Sequence, residues 1–211
     1  MITRAIPFRR RCHAFTMIEI AIAVAVIAFA LVAIIGVLPA GLQVQKENRE
    51  DTLLAQDGTY FMEAIRNGAA GLDELKDFVT KIDVGGTAYN TFNNGAEVIG
   101  LLSTPGTTNV ATVRAISGAI SEKGPATAEV AFRYQLQVQI MPFDPPPGNT
   151  NDPPRLQGVL ANKLHEIRLL FRWPILPNGS LGNGRQLFRS QVSGDFQTVT
   201  NNNTIYYFLR P

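Results

Sequence analysis

Between Ile20 and Leu38 every residue is apolar or glycine, 19 positions in all. As a helix rising about 1.5 Å per residue, the run is roughly 28 Å long, close to the thickness of a bilayer's hydrocarbon core. A helix can occupy lipid because its backbone donors and acceptors satisfy one another. A cleavable secretory signal has an apolar core of only about 7–15 residues, with a small-residue cleavage site behind it. Here the run is longer and is followed by Pro39-Ala40-Gly41. The chain is therefore expected to enter a membrane as a helix near its start.

The flanks set the direction. Arg4, Arg9, Arg10 and Arg11 precede the run and no acid accompanies them in residues 1–14. Basic residues ahead of a span hold that end in the cytoplasm, which sends the remainder outward. The formal charge of the chain is +2, with 19 basic and 17 acidic residues. Without those four arginines the balance is 15 to 17, or −2. The basic excess thus belongs to the first residues and speaks for orientation, not for nucleic acid. One carboxylate, Glu19, stands where the apolar run begins, and no further charge follows until Lys46. At mid-bilayer such a group costs at least about 2.5 kcal/mol, and near the headgroups much less.

The junction reads Ala14, then Phe15-Thr16-Met17-Ile18-Glu19. It resembles the type IV prepilins and the pseudopilins of type II secretion systems, in which a short basic leader and a small residue precede F-T-L-I-E or a near variant. The resemblance covers roughly residues 9–60. It implies that a prepilin peptidase cuts between Ala14 and Phe15 and then N-methylates the new amine of Phe15. It also implies that Glu19 meets the N-terminal amine of a neighbouring subunit. Two charges that are costly apart neutralise each other there, and a missed register leaves both unpaired. The implied partners are the peptidase, other pilin or pseudopilin subunits, an inner-membrane assembly platform and the lipid bilayer. The implied location is the bacterial inner membrane, single-pass, with the N-terminus cytoplasmic and the C-terminal domain periplasmic or in a filament.

The chain departs from the family pattern in three places. Ala14 replaces the usual glycine, Met17 replaces leucine, and Pro39 comes later than the family's helix-bending proline. The single cysteine, Cys12, lies in the leader, so the cysteine pair common in major type IV pilins is missing. That favours a pseudopilin or minor pilin. More narrowly, Gly36-Val37-Leu38-Pro39-Ala40-Gly41-Leu42 resembles pilin-like proteins of the verrucomicrobial "Verru_Chthon cassette" group.

The expected architecture is α+β: a long N-terminal helix, membrane-spanning in its first half, packed on a C-terminal antiparallel sheet. Residues 1–14 are the leader, 15–42 the transmembrane or filament-core helix, 43–68 its amphipathic continuation, and 69–211 the sheet domain. Pro39 removes a donor and clashes one turn back, so a kink or local melting is expected near Ile35 to Gly41. Leu53, Leu54, Tyr60, Phe61, Ala64 and Ile65 recur at helical steps and form a stripe to pack on the sheet, with Glu50, Asp51, Asp57, Glu63 and Arg66 elsewhere. Asn67-Gly68 supplies the stop.

Beyond it, a short helix is expected at Leu72 to Thr80, turns at Gly85-Gly86 and Asn93-Asn94-Gly95, and strands at Glu97 to Leu102 and Val110 to Ile116. Glu129 to Met141 alternates most cleanly, and the segment from Leu164 to Trp173 follows the same period of two. Gln186 to Val192 and Thr204 to Leu209 add two strands. The proline-rich stretch Asp144 to Pro154 reads as an exposed connection. Its Asp144, Asn149, Asn151 and Asp152 lack the ligand spacing of a calcium loop, so no metal and no cofactor are expected.

Past the leader the chain has one histidine, His165, and no cysteine. This excludes thiol nucleophiles and Cys/His zinc clusters. No H-E-x-x-H, G-x-S-x-G, P-loop or G-x-G-x-x-G pattern occurs. His165 and Glu166 fall on opposite faces of one strand and make no dyad. The chain reads as a structural subunit and not an enzyme; the competing readings are an uncleaved single-pass anchor carrying a periplasmic binding domain and, third, a secreted or anchored hydrolase, which would require a concave acidic cleft in the sheet domain.

Overall fold

Helix α1 runs unbroken from Met17 to Arg66 and contains Pro39. The computed structural model describes residues 15–68, 72–116, 132–142 and 162–210. The chain divides into two units between Arg49 and Glu50, so α1 contributes to both. In the first unit the helix is exposed along its whole length. No turn melts at Ile35 to Gly41; the helix continues through the proline. The leader, the proline-rich connection and the first residues of the Glu129 strand lie outside the described residues.

The second unit opens with the last turns of α1, where Leu54, Phe61 and Ile65 are fully buried and Leu53 and Ala64 nearly so. Fully burying side chains of this size stabilises by roughly 1.5–3 kcal/mol each. The expected stripe therefore packs within its own chain. Arg66 ends the helix, and Gly68 follows with φ +67°, the left-handed geometry that suits glycine at a helix terminus.

A six-stranded antiparallel sheet has the order β2-β1-β3-β4-β5-β6. Its strands are β1 (Val79–Val84), β2 (Thr87–Tyr89), β3 (Thr108–Arg114), β4 (Arg133–Pro142), β5 (Leu164–Ile175) and β6 (Leu181–Ser193). Leu136 stands opposite Phe171, Val138 opposite Leu169 and Ile140 opposite Ile167, all fully buried. The period of two in these strands thus builds one apolar face. Helix α1 covers the β4–β6 part of it: Gly58 lies against the Phe188 ring, and Phe61 meets Phe171 with centroids 6.5 Å apart. A second helix, α2 (Gly95–Leu102), contacts β1 and β3. A separate hairpin, β7 (Asp195–Asn201) with β8 (Thr204–Arg210), packs on α2. The α+β reading with an antiparallel sheet holds.

Two assignments from the sequence are corrected. Glu97 to Leu102 is helix, not strand. The Asn94 side chain accepts from the Glu97 amide at 2.9 Å, capping a segment buried on every side between sheet and hairpin. A run this short and this apolar, with Glu97 its only charge, carries no period that separates helix from strand. The short helix expected from Leu72 shrinks to one 3-10 turn, Asp73–Asp77, and Val79 begins a strand. Strands β1, β2 and β7 escape the sequence reading altogether. Two of their turns are tight: Gly85-Gly86 joins β1 to β2, and Asn202-Asn203 joins β7 to β8, all four at positive φ.

Candidate functional site

The candidate site begins at Phe15, the first described residue, which is 77% exposed ahead of α1. Thr16 and Glu19 form a reciprocal cap on the first turn. The Glu19 amide donates to the Thr16 carbonyl at 3.0 Å, and the Ile20 amide to the same carbonyl at 3.2 Å. The Glu19 carboxylate in turn accepts from the Thr16 amide and hydroxyl, both at 3.4 Å. Threonine followed three residues later by glutamate is a capping box, which satisfies amides that a helix start would leave orphaned. The sequence reading found Glu19 but missed this local role, although the spacing Thr16-x-x-Glu19 carries its signature.

From Met17 onward Ile18, Ile20, Ile22, Val24 and Ile27 are all more than half exposed, and the same holds for the large side chains through Val44. The helix is long and apolar enough to cross a membrane. Such a surface needs lipid or other apolar helices against it. Pro39 lies within this exposed stretch. Ala14 lies outside the described residues, so the residues either side of the expected cut are not seen together.

The other end of α1 is held by a polar contact that the sequence reading misplaced. Asp57, assigned to the solvent side, is completely buried. Its Oδ2 accepts from the Tyr134 hydroxyl at 2.8 Å and from the Ile116 amide at 3.0 Å. Burial, and then the Asp57 carboxylate beside it, push the Tyr134 hydroxyl pKa well above the ordinary tyrosine value. A signal was present: Asp57 follows Leu54 by three and precedes Phe61 by four, so it falls on the buried stripe.

Glu97 is nearly buried too, accepting from the Asn93 amide at 2.9 Å and its side chain at 3.0 Å. At the far end of α2, Asn109 donates to the carbonyls of Leu102 and Thr104, both at 2.9 Å. These side chains hold the turn before α2 and the loop after it. His165 is 6% exposed, its ring edge-on to Phe196 at 4.8 Å, and its Nε2 finds no hydrogen-bond partner among the described residues. Burial lowers its pKa, against the smaller raising effects of the Gly194 backbone and Asp195. Glu166 faces the other way and binds Arg168 at 2.8 Å. Among the described residues no group of three or more His, Cys, Asp or Glu is placed to hold a metal.

A family model described as the prokaryotic N-terminal methylation motif matches residues 9–35. The match ends before the Gly36–Leu42 exit, and nothing found supports the narrower verrucomicrobial resemblance. No curated protein and no solved structure matches the chain. Over residues 9–35 the chain carries the N-terminal methylation motif, at the head of an exposed helix of membrane-spanning length, and in this it is type IV pilin-like.

Proposed function

We propose that the chain is a pseudopilin or minor pilin, a structural and non-catalytic subunit of a type II secretion or type IV pilus-like filament. Prepilin peptidase cleaves between Ala14 and Phe15 and methylates the Phe15 amine. The basic leader keeps the N-terminus cytoplasmic and the sheet unit periplasmic, and an inner-membrane platform lifts the helix into an apolar bundle of its equivalents. The observation that carries this reading is the motif over residues 9–35 heading a helix whose large apolar side chains are exposed from Met17 to Val44. Transfer from lipid to a helical bundle costs little when both are apolar, so one surface serves storage and assembly.

Glu19 supports the same reading. Its carboxylate lies over the Thr16 amide, one residue from the amine that cleavage frees. There it can exchange a weak 3.4 Å contact within its own chain for an ammonium partner on a neighbour. The test is the N-terminus and intact mass of the protein from membranes with and without prepilin peptidase. A chain beginning at methylated Phe15 only when the peptidase is present is expected. An intact leader beside an active peptidase overturns the reading and leaves an uncleaved anchor.

A further inference from the structure

Three pairs of arginines face one another across neighbouring strands. Arg114 stands opposite Arg133 on β3 and β4, and on β5 and β6 Arg168 stands opposite Arg189 and Arg172 opposite Arg185. All six alternate with the buried apolar residues, which places them on the face of the sheet turned away from α1. Like charges at facing positions of an antiparallel pair are destabilising. Two of the pairs are relieved from within the chain. Arg114 is turned onto the Asp77 carbonyl. Glu166 binds Arg168 with bonds of 2.8 and 3.0 Å, and its pKa is held below the usual glutamate value by Arg168 first and by Arg189 in lesser part. The third pair has no such relief. Arg172 and Arg185 have no acidic partner among the described residues. Gln135, facing Arg172 from β4, uses its side-chain oxygen to accept from Gln137 at 3.0 Å.

The backbone is irregular at the same place. Trp173 stands opposite Gly184 and Ile175 opposite Leu181, a step of two residues on β5 against three on β6. Strand β6 thus carries one residue more than its partner, a bulge at Gly182-Asn183 directly beside Arg185. Bulges re-aim side chains and leave one residue out of the ladder. A concavity of about 330 Å³ lies there, bordered by Arg172, Arg185, Asn183 and Gln137. No aromatic ring that could stack a base is among the described residues lining it.

We infer that Arg172 and Arg185 bind a phosphate group, either that of a free phosphate or that of a lipid head group. Facing Cα atoms of an antiparallel pair are about 4.5–5.5 Å apart, so both guanidinium forks reach one tetrahedral oxyanion between them. Each fork matches phosphate oxygens two at a time and keeps its charge at any ordinary pH. A phosphate carries about −1.5 to −2 near neutral pH and so balances both arginines. A single carboxylate balances only one, as Glu166 does at Arg168. The amides of Asn183 and Gln137 at the rim add donors for the remaining oxygens.

The test titrates inorganic phosphate into the full chain in a non-ionic detergent and reads binding by calorimetry. Saturable binding of one phosphate per chain is expected, tighter than that of acetate. Arg172→Gln and Arg185→Gln should each weaken it about tenfold or more. Arg189→Gln, on the pair that Glu166 already serves, should leave it nearly unchanged. Phosphate should raise the unfolding midpoint of the parent chain but not that of Arg185→Gln. Without phosphate, Arg185→Gln should unfold no more easily than the parent, because it removes one of two facing like charges. Binding that does not saturate, acetate held as tightly as phosphate, or an equal loss in Arg189→Gln overturns the site and leaves a diffuse basic face. A lower midpoint for Arg185→Gln without phosphate overturns it as well, by making the arginine structural. Repeating the titration in phosphatidylcholine vesicles with and without phosphatidate assigns the source. Phosphate affinity weakened by phosphatidate places a lipid head group on the pair, and unchanged affinity assigns it to free phosphate.

Discussion

Asp57 and Tyr134 meet at 2.8 Å between the last turns of α1 and the fourth strand of the sheet, both fully buried. A carboxylate oxygen there serves two donors, the tyrosine hydroxyl and the Ile116 amide. The pair fixes both the rotation and the height of the helix on the sheet, which apolar contacts alone specify less sharply. Replacing Tyr134 by Phe removes one donor and leaves the carboxylate under-satisfied. The expected loss is about 1–3 kcal/mol, read as a lower midpoint in denaturant unfolding of the detergent-solubilised chain. An unchanged midpoint would show that solvent reaches Asp57.

The cap of α2 is a second test of position. Asn94→Ala removes the acceptor for the Glu97 amide and is expected to cost about 0.5–2 kcal/mol. Asn94→Ser, which retains an acceptor, should recover most of that loss in the same unfolding measurement.

Gly95 is the strictest glycine of the sheet unit. A Cβ added there would stand 1.7 Å from the Leu72 carbonyl oxygen, which is backbone and has no rotamer to change. Gly95→Ala should therefore destabilise more than Gly58→Ala, whose Cβ would meet the end of the Phe188 ring at 2.5 Å. Comparing the two midpoints checks the order.

His165 gives the unit a pH dependence. Its folded pKa is lowered from 6.5, so the unfolded chain takes up a proton first as the pH falls. The stabilisation from burying the neutral ring is complete above about pH 6.5 and is lost as the pH drops through the folded value. His165→Phe should flatten the stability profile below pH 6.5; a slope unchanged by the substitution would assign it to another group.

Glu19→Leu separates insertion from assembly. It removes the carboxylate without shortening the apolar run, so membrane insertion should be unchanged while subunit assembly is lost. Membrane fractionation and the yield of oligomers read the two effects independently. Normal assembly of this variant would reduce Glu19 to a helix cap.

Periodicity made the large features visible in advance. The apolar run of α1, the stripe around Phe61 and the alternation in β4 and β5 each repeat often enough to outvote local exceptions. The failures share a physical cause. Helix α2 is buried all round, so its sequence has no polar face to mark a period. Strand β7 is exposed along nearly all its length and alternates too weakly to stand out; its signal was the Asn202-Asn203 turn. Asp57 was assigned by its charge when its spacing from Leu54 and Phe61 placed it inside. The arginine pairs are invisible before the register of β5 and β6 is known, since facing positions lie 13 and 21 residues apart in the chain.

Asp57 and Tyr134 are 77 residues apart in sequence, and Gly58 waits for Phe188 across 130. Synthesis runs from the N-terminus at about 5–20 residues per second. The helix therefore exists for roughly 7–26 s before the last strand it leans on has been made. During that interval Leu54, Phe61 and Ile65 have no sheet to cover them. The helix that carries the membrane-length apolar run is thus also the one that must wait for the sheet its own last turns pack against.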